Sequence, residues 1–175
     1  MSAYVALLRG VNVGGITVKS AELAEVFRGL GFGSVRTVLA SGNVAFESDE
    51  TDAAALKLRI ETALRERFGY DAWIVLVTRE QLARIVDAFA FDEELEGWHP
   101  YVVFGSDAGR LAELLAGEPA LDPADESVRP GDGVLYWHLR IAVGSTNSPF
   151  AKLTAKPRFK PTTTTRNLRT LRKLL

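Results

Sequence analysis

The chain has 175 residues, 47% of them hydrophobic and 25% charged, with a formal net charge of −1. That balance fits one ordinary domain or two small ones with a real core, and it excludes a disordered chain. The sequence has no cysteine, no run approaching the roughly 18 apolar residues of a membrane span, and no basic segment before its first apolar run. Disulfides and thiolate metal sites are excluded, and a protein of the cytoplasm with no membrane partner is expected.

Residues 4–8 form a short apolar run that predicts a buried strand, and residues 9–15 a glycine-containing loop. Ser20 is expected to cap a helix in which Leu23, Val26, Phe27 and Leu30 share one face, with Gly31 ending it. Residues 35–39 and 44–47 predict two strands joined by the turn Ala40, Ser41, Gly42 and Asn43. Asp52 can cap a second helix carrying Leu56, Ile60, Ala63 and Leu64, with Gly69 at its exit, and residues 72–77 predict a fourth strand. The order β-α-β-β-α-β is the ferredoxin-like split βαβ pattern. Thr78 and Gln81 then form a capping box for a third helix striped by Leu82, Ile85, Val86 and Phe89.

The acidic stretch 91–97 reads as a loop and a boundary, and His99 and Pro100 follow in it. Residues 101–104 predict another strand, and Leu111, Leu114 and Leu115 a helix ended by Gly117. Pro130, Gly131, Asp132 and Gly133 read as the turn between two paired strands. Ser148 and Pro149 suit a helix start, residues 156–160 a basic loop, and a last helix is expected from about Arg166 with Leu168, Leu171 and Leu175 on its apolar side. The expected fold class is therefore α+β: a ferredoxin-like βαββαβ N-terminal half over residues 1–90, then a smaller related α+β part over 98–175, roughly β-α-β-β-α and without a final strand.

Charge is unevenly distributed. Residues 133–175 hold nine Lys or Arg and no Asp or Glu, so residues 1–132 hold the other twelve basic residues and all 22 acids. A concentrated positive field attracts anions. It points to an anionic ligand or an acidic partner, but it names no reaction.

Three polar segments can carry chemistry. The first is Arg9, Gly10, Val11, Asn12, Val13, Gly14 and Gly15, where glycines can turn backbone N–H groups toward an anion. It is not a dinucleotide fingerprint, because Asn12 stands where Gly is required. It is not a P-loop either, because Ile16 stands where Lys is required. The second is Ser41, Gly42 and Asn43, whose side chains can equally satisfy their own turn. The third is the run Thr162 to Thr165 with Arg166 and Asn167, read as the N-terminus of a basic helix, with the Arg166 fork suited to carboxylate or phosphate. The bland alternative is a capped helix with a solvated basic face. The two histidines, His99 and His138, stand far apart, so no metal site is expected. No nucleophile elbow and no RNA-recognition motif is present.

The runs Ala6 to Gly15, Val38 to Val44, and Thr164 to Asn167 with Thr170 and Lys173 together resemble the DUF1697 family, bacterial proteins of unknown function. The resemblance spans nearly the whole chain and implies an α+β fold with a ferredoxin-like N-terminal half and a smaller related part. It implies no activity. Relatives often carry a basic residue at the position of Ile16 and Trp at the position of Leu168.

The expectation is a protein that binds a small phosphorylated or carboxylated ligand in a polar cleft between the two halves. Arg9, Asn12, Gly14, Gly15, Ser41, Asn43, Thr165, Arg166 and Asn167 would line it, with no cofactor. The rivals are a nucleic-acid-binding module using the basic region, which an isoelectric point of about 6.2 disfavours, and an enzyme acting on a phosphate-containing substrate. The three segments offer that enzyme no general base. A last reading has the basic helix docking on the acidic N-terminal half, stabilising the chain or a dimer.

Overall fold

The computed structural model describes residues 1–10, 16–39, 42–117 and 120–175. The chain divides into two units, Met1–Ala83 with Lys173–Leu175, and Arg84–Arg172.

The first unit runs β1 (Ser2–Arg9), α1 (Ser20–Gly29), β2 (Gly33–Thr37), β3 (Asn43–Ser48), α2 (Ala53–Phe68) and β4 (Trp73–Thr78), followed by the start of α3 (Arg79–Asp87). The strands form one sheet in the order β2-β3-β1-β4, with every pair antiparallel. Tyr4, Ala6 and Leu8 of β1, Val44 and Phe46 of β3 and Ile74 of β4 alternate onto one face. There they meet Leu23 and Phe27 of α1 and Leu56, Ile60 and Leu64 of α2. The same alternation gives Leu7, Arg9 and Asn43 to the opposite face.

Local chemistry sets the element ends. The Asp52 carboxylate accepts from the Ala54 and Ala55 amides at 3.0 and 3.2 Å, and Gly69 ends α2 in the left-handed region. Thr78 and Gln81 exchange side-chain-to-backbone bonds of 2.8 and 3.0 Å at the start of α3. Buried Glu61 on α2 accepts from the Ile74 amide of the edge strand β4 at 3.0 Å and from Lys57 at 3.2 Å. Ser20 does not cap α1. Lys19 holds the cap position with no side-chain bond, and the Ser20 hydroxyl donates instead to the Leu39 carbonyl.

The second unit repeats this layout with β5 (Trp98–Gly105), α4 (Ala108–Leu115), β6 (Glu126–Pro130), β7 (Val134–Arg140), the short helices α5 (Gly144–Asn147) and α6 (Pro149–Thr154), and β8 (Thr163–Asn167). Its sheet order, β6-β7-β5-β8, is again antiparallel and equivalent to the first. Most of α7 (Leu168–Lys173) belongs to this unit. Val103, Leu111, Leu114, Val128, Leu135, Trp137, Leu139, Phe150 and Phe159 form its core. The fold class is α+β, with two similar halves.

Two sequence expectations fail here. The second half does have a fourth strand, because the threonine run pairs with β5 from Gly105↔Thr163 to Tyr101↔Asn167. Thr is β-branched and suits a strand better than a helix lead-in. His99 and Pro100 also lie in a strand, β5, not in a loop. Proline is tolerated there because β8 pairs only from Tyr101 onward, so β5 has a single neighbour, β7, at Pro100.

Two buried polar groups hold the second unit together. Glu126 is 1% exposed, and its Oε1 accepts from the Ser148 hydroxyl at 2.9 Å and the Phe150 amide at 3.2 Å. It thereby ties β6 to the start of α6, where Ser148 also caps the helix and Pro149 opens it. His138 is stacked between Phe91 (centroids 5.1 Å apart, planes at 16°) and Trp98 (4.8 Å, 29°), and its Nε2 is buried with no hydrogen-bond partner among the described residues.

Replacing Glu126 with Ala strands the Ser148 hydroxyl and the Phe150 amide, and is expected to cost about 2–3 kcal/mol. A denaturant titration checks it, with Glu126→Gln losing less. Burial lowers the His138 pKa below its ordinary 6.5, while the nearby Asp92 carboxylate works weakly the other way. The neutral ring's contribution to stability is complete above pH 6.5 and is lost as pH falls through the lowered folded-state value. Melting temperatures measured from pH 7 downward should therefore fall more steeply for the native chain than for His138→Phe, which keeps the stack without a titrating group.

Candidate functional site

The strand pairing gathers four segments at one end of the first sheet. Leu7 of β1 pairs with Asn43 at the start of β3, and Arg9 at the end of β1 pairs with Trp73 at the start of β4. The β2–β3 turn closes there, with Val38 N–H donating to the Asn43 carbonyl at 3.0 Å and Leu8 N–H to the Gly42 carbonyl at 2.8 Å. The end of β1 and the starts of β3 and β4 therefore share one end of the sheet. Tyr70, whose carbonyl accepts from the Ala72 amide at 2.9 Å, precedes β4 there as well.

Arg9 is part-buried, and burial lowers its pKa from the ordinary arginine value. A guanidinium whose water has been partly removed attracts anions more strongly than one in bulk solvent. Gly10 follows it at φ +81°, a conformation that a side chain would strain, so the chain turns sharply away immediately after the cation. Leu39 makes a comparable turn without being glycine. It stands at φ +57° and is 55% exposed, at the tip of the neighbouring connection. Non-glycine residues in this region carry strain that the surrounding structure must hold in place.

Asn43 is 1% exposed, and its Nδ2 donates to the Val38 carbonyl at 2.9 Å. That amide serves the turn it sits in, which is the bland reading offered by the sequence. Asn12, Gly14, Gly15 and Ser41 lie outside the described residues.

The third segment belongs to the second unit and has a different form from the one expected. Thr165, Arg166 and Asn167 are on β8, with Arg166 opposite Val102 in the sheet rather than leading a helix. Arg166 is 8% exposed, and its Nη1 donates to Thr164 Oγ1 at 2.7 Å and to the Thr165 carbonyl at 3.1 Å. The Asn167 side chain accepts from the Arg169 amide at 2.9 Å and so caps α7. The expected helix start is thus replaced by a strand, and α7 begins only at Leu168 with six residues.

The basic region is partly neutralised within its own unit. Arg140 pairs with Asp125, Arg158 grips Glu113 through two nitrogens, and Arg172 grips Glu93 of the acidic stretch in the same way. Hydrogen bonds from these arginines hold the Glu113 and Glu93 carboxyls below their ordinary values. Such exposed pairs add little stability, but they consume three of the nine positive charges that the sequence set apart.

Among the described residues no group of three or more His, Asp or Glu could hold a metal ion, and no helix is long and apolar enough to cross a membrane.

The profile of the DUF1697 family, described as protein of unknown function, matches residues 1–136. The chain belongs to the DUF1697 family. No curated protein matches it. Among solved structures, the conserved bacterial protein SP0830 from Streptococcus pneumoniae is similar over 99% of this chain and 96% of its own. The identity is 24% and the TM-score 0.80, which shows a shared fold. An unknown protein from Galdieria sulphuraria matches 95% of this chain and 96% of its own at 12% identity and a TM-score of 0.28, a likeness too slight to carry an argument.

Replacing Asn43 with Ala leaves the buried Val38 carbonyl without its partner, and is expected to cost about 1–2 kcal/mol. Thermal unfolding of Asn43→Ala checks this, and an unchanged melting temperature would move Asn43 from a structural to a binding role.

Proposed function

We propose that this protein binds a small oxyanion, a phosphate or carboxylate group of a larger metabolite, at the end of the first sheet where β1, β3 and β4 bring their polar connections together. The observation that carries this reading is the part-buried Arg9, followed at once by the sharp turn at Gly10 and standing beside the start of β4. Arg9 would supply the charge and a planar pair of donors. Asn12, Gly14, Gly15 and Ser41 belong to the two connections that start there, and we assign them the remaining hydrogen bonds. Arg166 and Asn167 have less support, since their side chains already bond within and just after β8. The nucleic-acid reading also has less support, because Arg140, Arg158 and Arg172 are engaged by acids of their own unit.

Calorimetric titration with inorganic phosphate, a sugar phosphate, a nucleotide and a dicarboxylate tests the reading. Arg9→Ala is expected to weaken the bound anion at least tenfold, by about 1.5–3 kcal/mol for a charged hydrogen bond lost. Arg169→Ala, an exposed change of equal charge, should leave binding unchanged. No heat from any of these anions would refute the proposal.

A further inference from the structure

We propose that His138 is an acid-sensitive latch: its neutral ring holds the connection between α3 and β5 against the second sheet through Phe91, and protonation of that ring releases the connection while the sheet stays folded. The imidazole is stacked between Phe91 of the connection, at 5.1 Å between centroids, and Trp98 of β5, at 4.8 Å. Phe89 meets His138 edge-on at 6.3 Å and Tyr136 at 5.4 Å. Within residues 88–97 only Phe89, Phe91 and Glu93 are not exposed. The two phenylalanines supply ring contacts to the sheet, and Glu93 is gripped by Arg172. A stretch with so few buried contacts opens locally at low cost, so the Phe91–His138 stack is a large part of what keeps it closed.

The ring is built to be neutral. His138 Nε2 is buried and has no hydrogen-bond partner among the described residues. A neutral imidazole can leave this nitrogen as a bare acceptor, but the imidazolium places an N–H there with nothing to receive it. Phe91 offers a second cation little, because the Arg129 guanidinium of β6 already lies 5.6 Å from its centroid. Asp92 in the connection favours the charged ring weakly. On the same face β6 presents Ser127 and Arg129, and β7 presents Tyr136, bonded to the Ile85 carbonyl at 2.6 Å, and Arg140, paired with Asp125. From β5 come Trp98 and Pro100, neither of which titrates in this range. Burial prevails over Asp92 and lowers the His138 pKa below its ordinary 6.5, so the latch is closed above pH 6.5 and opens as pH falls through the lowered value. Arg172 holds the Glu93 carboxyl below its ordinary value, so that pair persists and keeps the opened connection tethered.

The test uses the full chain as wild type, His138→Phe and Phe91→Leu. NMR follows the His138 ring and the amide hydrogen exchange of Phe89 and Leu95 from about pH 7.5 to about pH 5, corrected for the intrinsic pH dependence of exchange. Those amides bond to the Val86 and Asp92 carbonyls, and the amides of Val103 and Leu135 report on the sheet. In the wild type, exchange at Phe89 and Leu95 is expected to rise roughly tenfold or more at the midpoint of the His138 titration, while the sheet amides stay protected. His138→Phe should keep the connection closed throughout, and Phe91→Leu should exchange fast already at neutral pH with no step. Unchanged exchange across the His138 titration would overturn the proposal, as would a ring that stays neutral over the whole interval or a step that His138→Phe retains. Loss of sheet protection at the same midpoint would also overturn it, by showing that acid unfolds the unit as a whole.

Discussion

Strand β1 lies between β3 and β4 and runs antiparallel to both. Because an antiparallel neighbour begins where its partner stops, the exit of β1 and the entries of β3 and β4 must share one end of the sheet. The pairs Leu7↔Asn43 and Arg9↔Trp73 fix this register to the residue. A slip of one position would turn Arg9 toward the helices and Leu8 away from them, so the apolar face that α1 and α2 cover also determines where the cation projects. Packing and recognition in this unit therefore have a common cause. The hydrophobic pattern selects the register, and the register collects the polar chain ends.

The second unit shows the same sheet order carrying different chemistry. Its central strand β5 ends at Gly105 and is followed by Ser106, where β1 ends at Arg9 and is followed by Gly10. Its polar investment is internal: Glu126 ties β6 to α6, His138 is clasped between two aromatic rings, and Arg172 holds Glu93. These arrangements hold elements together rather than opening a site. The large charge separation read along the chain is reduced in space because arginines of the last 43 residues meet acids at positions 93, 113 and 125. A net charge counted over a segment thus overstates the field that a ligand meets.

Most local signals were legible in the sequence, the Ser20 cap excepted, and some long-range ones were not. The Asp52 cap, the Thr78–Gln81 box, the Ser148–Pro149 helix start and the turn at residues 130–133 each depend on contacts within a few residues, and each stands as the sequence implied. The threonine strand did not announce itself, because its partner β5 lies about sixty residues away and four threonines serve a cap or a strand equally well. Pro100 hid the start of β5 for a related reason. Proline argues against a central strand until one knows that the neighbour β8 begins only at Tyr101. The polar candidates divided in the same way. Asn43 and Asn167 proved to serve nearby backbone groups, which a turn or cap residue does by default. The stacking of His138 had no sequence signal, since it is a property of packing alone.

Glu61 has a wider consequence. By taking the outward amide of Ile74, its carboxylate occupies part of the exposed rim of β4, the kind of surface on which another polypeptide could add as an extra strand. An incoming chain would have to displace a buried, lysine-paired acid to gain that one contact. The carboxylate thereby closes one of the backbone positions through which another chain could pair with β4.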